Sequence, residues 1–201
     1  MYFLMRQFIN TILGRKKQPD TVRYSQSGNF KAGTGCDLRH LSVHIANAAF
    51  NYLNVTIGND CMLSGKIVLV NNKARVTIGD GVFIGPDTTL FVTDHIQIEQ
   101  DVMISWGCTL IDTNAHSLHS AERLMDVRDW KKGPSYKNWS VVESSPITIQ
   151  RSCWIGFNSI ITKGVTLAEG TVVGCGSVVT KSTESFGVYA GNPAQFIKKT
   201  D

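Results

Sequence analysis

From position 149 the chain reads IQRSCW (149–154), IGFNSI (155–160), ITKGVT (161–166), LAEGTV (167–172) and VGCGSV (173–178) before it reaches Val179. Each block opens on an aliphatic residue, so Ile149, Ile155, Ile161, Leu167, Val173 and Val179 recur at a fixed interval of six. That interval is a multiple of the two-residue alternation of a strand and does not fit the roughly 3.6-residue period of a helix, so the pattern predicts short strands. Four residues after each rung stands a small or β-branched residue, namely Cys153, Ser159, Val165, Thr171 and Ser177, and glycines Gly156 and Gly174 directly follow two rungs. Read physically, each block is one flat side of a triangular coil. The aliphatic rung points into a prism and the small residue fills the corner. Three blocks make a coil of about 18 residues, and coils stacked about 4.8 Å apart hydrogen-bond as parallel strands. No coil can bury its inner face alone, so the stack is obligatory.

Working outward, the same theme runs upstream through Ile57 and Leu63, then Ile78, Ile84 and Leu90, then Ile98, Ile104 and Leu110, with slips of phase near residues 70–77 and 91–97. A β-sandwich with accidental periodicity does not account for six rungs in unbroken phase. The chain of 201 residues, 42 % hydrophobic, is long enough for one domain with a sizeable core. The expected layout is an N-terminal extension over 1–40, coils over 41–111 and 147–181, a loop insertion over 112–146 and a C-terminal tail over 182–201.

A formal charge of +4, with basic residues clustered only at Arg15–Lys17, Lys131–Lys132 and Lys198–Lys199, gives no nucleic-acid footprint. Those short clusters suit phosphates on a small ligand equally well. Five cysteines, Cys36, Cys61, Cys108, Cys153 and Cys175, form no CxxC or metal spacing, and their odd number argues against a disulfide framework, so a reducing cytoplasm is expected. Residues 1–13 are apolar but interrupted by Arg6, Gln7 and Asn10, too short to span a bilayer and without a small-residue cleavage site. With the basic residues that follow, 1–17 read either as an amphipathic helix packed on protein or as a peripheral contact with the inner face of a membrane. The first of these is preferred.

The stretches Cys153-Trp154-Ile155-Gly156, Ile160 to Leu167, Val173 to Lys181 and the closing Ala190-Gly191-Asn192-Pro193-Ala194 resemble the hexapeptide-repeat acyltransferases over about residues 55–200. Within that family they most resemble the O-acetyltransferases of sugars and bacterial surface polysaccharides. The resemblance implies an all-β, left-handed parallel β-helix, a homotrimer with each site between neighbouring prisms, acetyl-CoA as co-substrate and no metal. It further implies that Gly156 and Phe157 lie near a backbone oxyanion donor, and that Phe157, Cys175, Thr180 and Lys181 line a coenzyme A groove. Gly174 and Gly176 would let the pantetheine arm approach the backbone, and Lys198 would meet phosphate. Gln195 stands where the family often has a basic residue, which puts one phosphate contact in doubt.

The ladder breaks after Leu110 and resumes at Ile149, and Asp112-Thr113-Asn114-Ala115-His116 lies in the break. Long loops on a rigid repeat commonly carry function. Moving an acetyl group from a thioester to a hydroxyl needs a base, ordinarily an imidazole. His116 takes that role, and the resemblance agrees through a motif like Asp-x-x-x-His. An orienting partner for the ring is sought among Asp94, Asp112 and Asn114, with Asn114 or Asp94 preferred. Trp139 and Trp154 are the aromatic candidates for an acyl or sugar pocket, and the loop 121–145 is expected to set acceptor choice. His40, His44 and His95 read as structural, and His119 as exposed loop. Cys108 and Cys153, four residues after rungs, are expected to be buried and inert, which favours direct attack over an acetyl-enzyme. A saccharide acceptor leads, with a drug hydroxyl as the alternative. A zinc enzyme using His95, His116 and His119, or a β-helix scaffold without turnover, leaves the downstream signature unexplained.

Overall fold

The rungs become three parallel ladders in the computed structural model, which describes residues 30–45, 53–133 and 136–200. In chain order, β1 (Phe30–Ala32) and β2 (Asp37–Ile45) open the stack, followed by β3 (Val55–Ile57) and β4 (Met62–Leu69). The next two coils are β5 (Arg75–Ile78), β6 (Phe83–Ile84) and β7 (Thr89–Val92), then β8 (His95–Ile98), β9 (Met103–Ile104) and β10 (Thr109–Ile111). An insertion carries the short helices α1 (Ser120–Arg123) and α2 (Asp126–Lys132). Coils then resume with β11 (Ile147–Ile149), β12 (Trp154–Ile155) and β13 (Ile160–Thr162), and with β14 (Thr166–Leu167), β15 (Val172–Val173) and β16 (Val178–Val179). Strands β17 (Gly187–Gly191) and β18 (Ala194–Lys199) close the chain.

One face pairs β1, β3, β5, β8, β11 and β14, with Ile57, Ile78, Ile98, Ile149 and Leu167 side by side. A second face aligns Leu63, Ile84, Ile104, Ile155 and Val173, and a third aligns Ile67, Leu90, Leu110, Ile161 and Val179. Every one of these side chains is buried in a single core. Burial stabilises each by about 1.5–3 kcal/mol relative to exposure. Corner residues are small because the backbone of the next coil passes directly beneath them. Ser159 and Ser177 turn their hydroxyls onto the Gly174 carbonyl at 3.1 and 2.6 Å, which satisfies polar groups that burial would otherwise penalise.

The sequence pattern misses Ile67, four residues after Leu63. Strand β4 serves two faces, pairing β6 through Met62–Leu63 and β7 through Lys66–Leu69. Gly65 makes that corner at φ +100, where a Cβ would fall on the Thr88 carbonyl, so only glycine can take the shortened turn. The stack also begins earlier than residue 41, since Phe30 of β1 pairs with Val55. At the other end, the segment expected as a tail continues the second face, Val188 pairing with Val172, before β18 folds back antiparallel. The proposed membrane-contacting or packed helix of residues 1–17 lies outside the described residues. Among those described, no helix is long and apolar enough to cross a membrane.

The outer sides of the three faces differ. On the second, Met62, Phe83, Met103 and Trp154 stand in register pointing outward, 53, 36, 52 and 47 % exposed. The corresponding outward positions of the first face are polar: Thr56, Thr77, Gln97, Thr148 and Thr166.

Candidate active site

The insertion leaves and rejoins the prism at one edge, between the third and first faces. Asp112, wholly buried, anchors its departure by accepting from the Thr93 amide (2.8 Å), the Thr93 hydroxyl (2.9 Å) and the Asp94 amide (2.8 Å). Burial pushes its carboxyl above the usual carboxylate range, against the opposing pull of those hydrogen bonds. The return strand closes beside it through Ser145 N–H donating to the Asp112 carbonyl (2.8 Å) and Asn114 N–H donating to the Glu143 carbonyl (2.9 Å). Ala115 then adopts a left-handed φ of 60 and His116 N–H donates to the Asn114 carbonyl at 2.7 Å. This tight reversal sets His116 at the mouth of the loop, with its side chain 52 % exposed.

The imidazole meets Asp126 in the first turn of α2, its Nδ1 against carboxylate Oδ2. The same oxygen accepts from Lys137 Nζ at 2.7 Å, and Nζ lies 3.3 Å from Nδ1. The His116 hydrogen bond, then that of Lys137, holds the Asp126 carboxyl below its usual range. An ionised carboxylate only accepts, so Nδ1 carries the proton that faces Asp126. The Lys137 side chain is 0 % exposed, and its ammonium sits 5.1 Å over the Trp139 ring, which packs against Phe91 at 6.4 Å. An open depression of about 490 Å³ is lined by His116, Asp126, Val127, Trp130 and Lys131.

Several expectations are corrected. Neither preferred partner of His116 touches it: the Asn114 amide donates to Glu143 Oε2 (3.3 Å). The Asp94 main chain is engaged by Asp112 and by Arg75 N–H (2.9 Å). Asp112 likewise serves the coil corner. The sequence reading missed Asp126 and Lys137, because loop spacing sets no register and only the folded insertion brings positions 116, 126 and 137 together. Trp139 backs Lys137, and the aromatic residue at the depression is Trp130. Trp154 belongs to the outward apolar row of the second face.

The remaining predicted residues fall on two edges. Thr180 and Lys181 follow β16 on the edge that carries the insertion, both exposed. Gly156, Phe157, Cys175 and Gly176 lie on the edge between the second and third faces, and Lys198 is exposed on β18. There Phe157 stacks on Trp106 with ring centroids 5.0 Å apart and planes 1° from parallel. Gly176, at φ +68, has open space where a Cβ would project. Cys108 and Cys153 are buried, and loss of solvation raises both thiols, that of Cys153 to about 11. Thr77 Oγ1 lies 3.1 Å from Nε2 of His95. Among the described residues no group of three or more His, Cys, Asp or Glu side chains is placed to hold a metal ion.

A family model for the hexapeptide repeat of succinyl-transferase matches residues 146–181. Over 141 residues the chain is 30 % identical to the putative colanic acid biosynthesis acetyltransferase WcaF of Escherichia coli K12, covering 67 % of this chain and 68 % of WcaF. The chain belongs to the hexapeptide-repeat acyltransferase family. Within that family, galactoside O-acetyltransferase of E. coli K12 is 32 % identical over 146 residues, 73 % of this chain but 54 % of that protein, so the chain spans about half its length. Two solved structures share the hexapeptide-repeat fold. A point mutant of AntD, an N-acyltransferase of Bacillus cereus, in complex with dTDP and coenzyme A superposes with a TM-score of 0.66 at 22 % identity, covering 90 % of this chain and 89 % of that one. The polySia specific acetyltransferase NeuO superposes at 0.62 with 23 % identity, covering 86 % of this chain and 82 % of NeuO.

Proposed function

We propose that this hexapeptide-repeat protein is an acetyl-CoA-dependent O-acetyltransferase acting on a saccharide hydroxyl, with a bacterial capsule or other surface polysaccharide as the acceptor class. The observation that carries the reading is the His116–Asp126 contact: the carboxylate holds the ring through Nδ1 beside a depression that His116 lines together with Trp130. The names of the relatives, which include galactoside and colanic acid acetyltransferases, support a sugar acceptor. Free acetyl-CoA is a cytoplasmic metabolite, which puts the reaction in that compartment.

In the mechanism, Nε2 of His116 takes the acceptor hydroxyl proton as that oxygen attacks the thioester carbonyl. The new C–O bond leaves a tetrahedral oxyanion, held by a backbone N–H on the edge that carries Gly156 and Phe157. One such donor is worth about 3–4 kcal/mol. Collapse breaks the C–S bond, and the departing thiolate recovers the proton from Nε2. Ring orientation is the work of Asp126. No acetyl-cysteine is involved, in keeping with the burial and raised thiols of Cys108 and Cys153.

The reaction needs two edges at once, and a third face separates them within one prism. A cyclic homotrimer supplies the second edge from a neighbouring copy. The outward apolar row of Met62, Phe83, Met103 and Trp154 is the surface such an assembly would bury. The test is thiol release from acetyl-CoA with a saccharide panel, the acetylated oxygen located by NMR and the assembly weighed by sedimentation equilibrium. Turnover that falls at least about 100-fold in His116→Ala on a trimeric protein is expected. No thiol release with any saccharide, or turnover indifferent to His116→Ala, overturns the reading.

A further inference from the structure

Lys137 has no place in the mechanism above, yet it is a cation with a wholly buried side chain. Taking an ammonium out of water costs several kcal/mol unless it is paired, so its retention at this point needs a reason. Its one ion-pair partner among the described residues is Asp126, and it donates to the same Oδ2 that receives His116 Nδ1–H. Its other contact, the Trp139 ring packed on Phe91 of β7, ties it to the prism wall. Lys137 thus joins the insertion to the coil through one charged atom.

We propose that Lys137 is a positioning residue, which clamps the Asp126 carboxylate against His116 and offsets its charge beside the imidazole. The proposal rests on His116 being the base. Electrostatics gives its sign. An imidazolium beside a lone carboxylate is favoured by the opposite charge. With Nζ 3.3 Å from Nδ1, the ammonium repels that imidazolium and cancels most of the gain. The clamp therefore holds the ring in place while offsetting the pull of the carboxylate. The other charged side chain bordering the depression with His116 is Lys131 of α2, which acts in the same direction. Glu122 of α1 is turned onto Ser117, and Glu143 onto Asn114 and Lys163.

The test reads the imidazole directly and needs no acceptor. The full chain, labelled with ¹⁵N-histidine, is titrated by long-range ¹H–¹⁵N NMR, with His116→Gln assigning the resonance among the five histidines of the chain. In the parent protein the Nδ1–H tautomer is expected. In Lys137→Met the His116 midpoint rises by about one pH unit, about tenfold in proton affinity, and Lys137→Arg restores most of it. Lys137→Gln, which keeps a donor but no charge, carries the test if Lys137→Met does not fold, and its midpoint should rise likewise. A lysine that is merely structural lowers melting temperature without moving the midpoint. An unmoved midpoint in whichever variant folds overturns the proposal, while absence of acetyl transfer would overturn the catalytic reading and leave this titration intact.

Discussion

Replacing Asp112 with alanine tests how the prism holds the insertion. The carboxylate is wholly buried and accepts from two backbone N–H groups and one hydroxyl, at 2.8, 2.8 and 2.9 Å. The Thr93 hydroxyl can rotate to another acceptor, but the Thr93 and Asp94 amides cannot. Each buried donor left unmade costs about 1–3 kcal/mol, so Asp112→Ala should destabilise the fold by about 3–5 kcal/mol. With a urea slope near 2–3 kcal/mol per molar, the unfolding midpoint moves down by roughly 1–2.5 M. Asp112→Asn keeps one oxygen acceptor and should lose about half as much. The assay is urea unfolding followed by tryptophan fluorescence at one fixed protein concentration. Thiol release should fall with the loss of Asn114–His116 geometry even where the coil stays folded. A midpoint for Asp112→Ala within about 0.3 M of the parent refutes the reasoning, since it means the amides have found other partners.

Gly156 approaches the next coil so closely that a Cβ would lie 2.7 Å from the Cys175 amide nitrogen and 2.9 Å from the Val173 carbonyl oxygen. Gly156→Ala should therefore cost about 1–3 kcal/mol by thermal melting and weaken coenzyme A retention on a thiol-affinity or calorimetric measurement. Among the cysteines, Cys175 is exposed whereas Cys108 and Cys153 are buried with raised thiols. A timed thiol-reagent reaction at neutral pH, mapped by mass spectrometry, should modify Cys175 early and reach Cys108 and Cys153 only with unfolding. The Asp126 carboxyl sits below its unfolded value, so it adds stability that is complete above the ordinary carboxylate range and is lost as pH falls through the native value. Asp126→Asn should lack that component in acid unfolding curves. Asp112 has the opposite sign: its carboxyl is raised, so its contribution declines as pH rises from the ordinary range through the native value, and Asp112→Asn should flatten that decline.

The coil architecture was legible because a solenoid repeats one local decision. An inward aliphatic residue every six positions can be satisfied only by stacking, so the register Ile149, Ile155, Ile161 and Val179 follows from the chain alone. Departures occur where one coil interferes with another. Ile67 was invisible because Gly65 shortens a corner to clear the Thr88 carbonyl, a contact between residues 23 apart. Strand β1 carries too few residues for periodicity, and its place is set by pairing with β3. The site divides in the same way. His116 was marked by its position at the ladder break, and Cys108 and Cys153 were marked as buried by their offset from the rungs. Asp126 and Lys137 carry no periodic signal; of the near-rung candidates, Asn114 turns its side chain to Glu143, and Asp94 is held at the coil corner through its main chain.

By itself, then, the sequence determined the parallel β-helix, the rungs of its core, the break that interrupts it and the histidine within the break. Each is a consequence of short-range alternation repeated many times. Tertiary structure alone decided what surrounds that histidine: a carboxylate from α2, a buried ammonium behind it, and the division of the other candidates between two edges of the prism. Those arrangements depend on charges and side chains meeting across a folded insertion, where distance along the chain says nothing about distance in space.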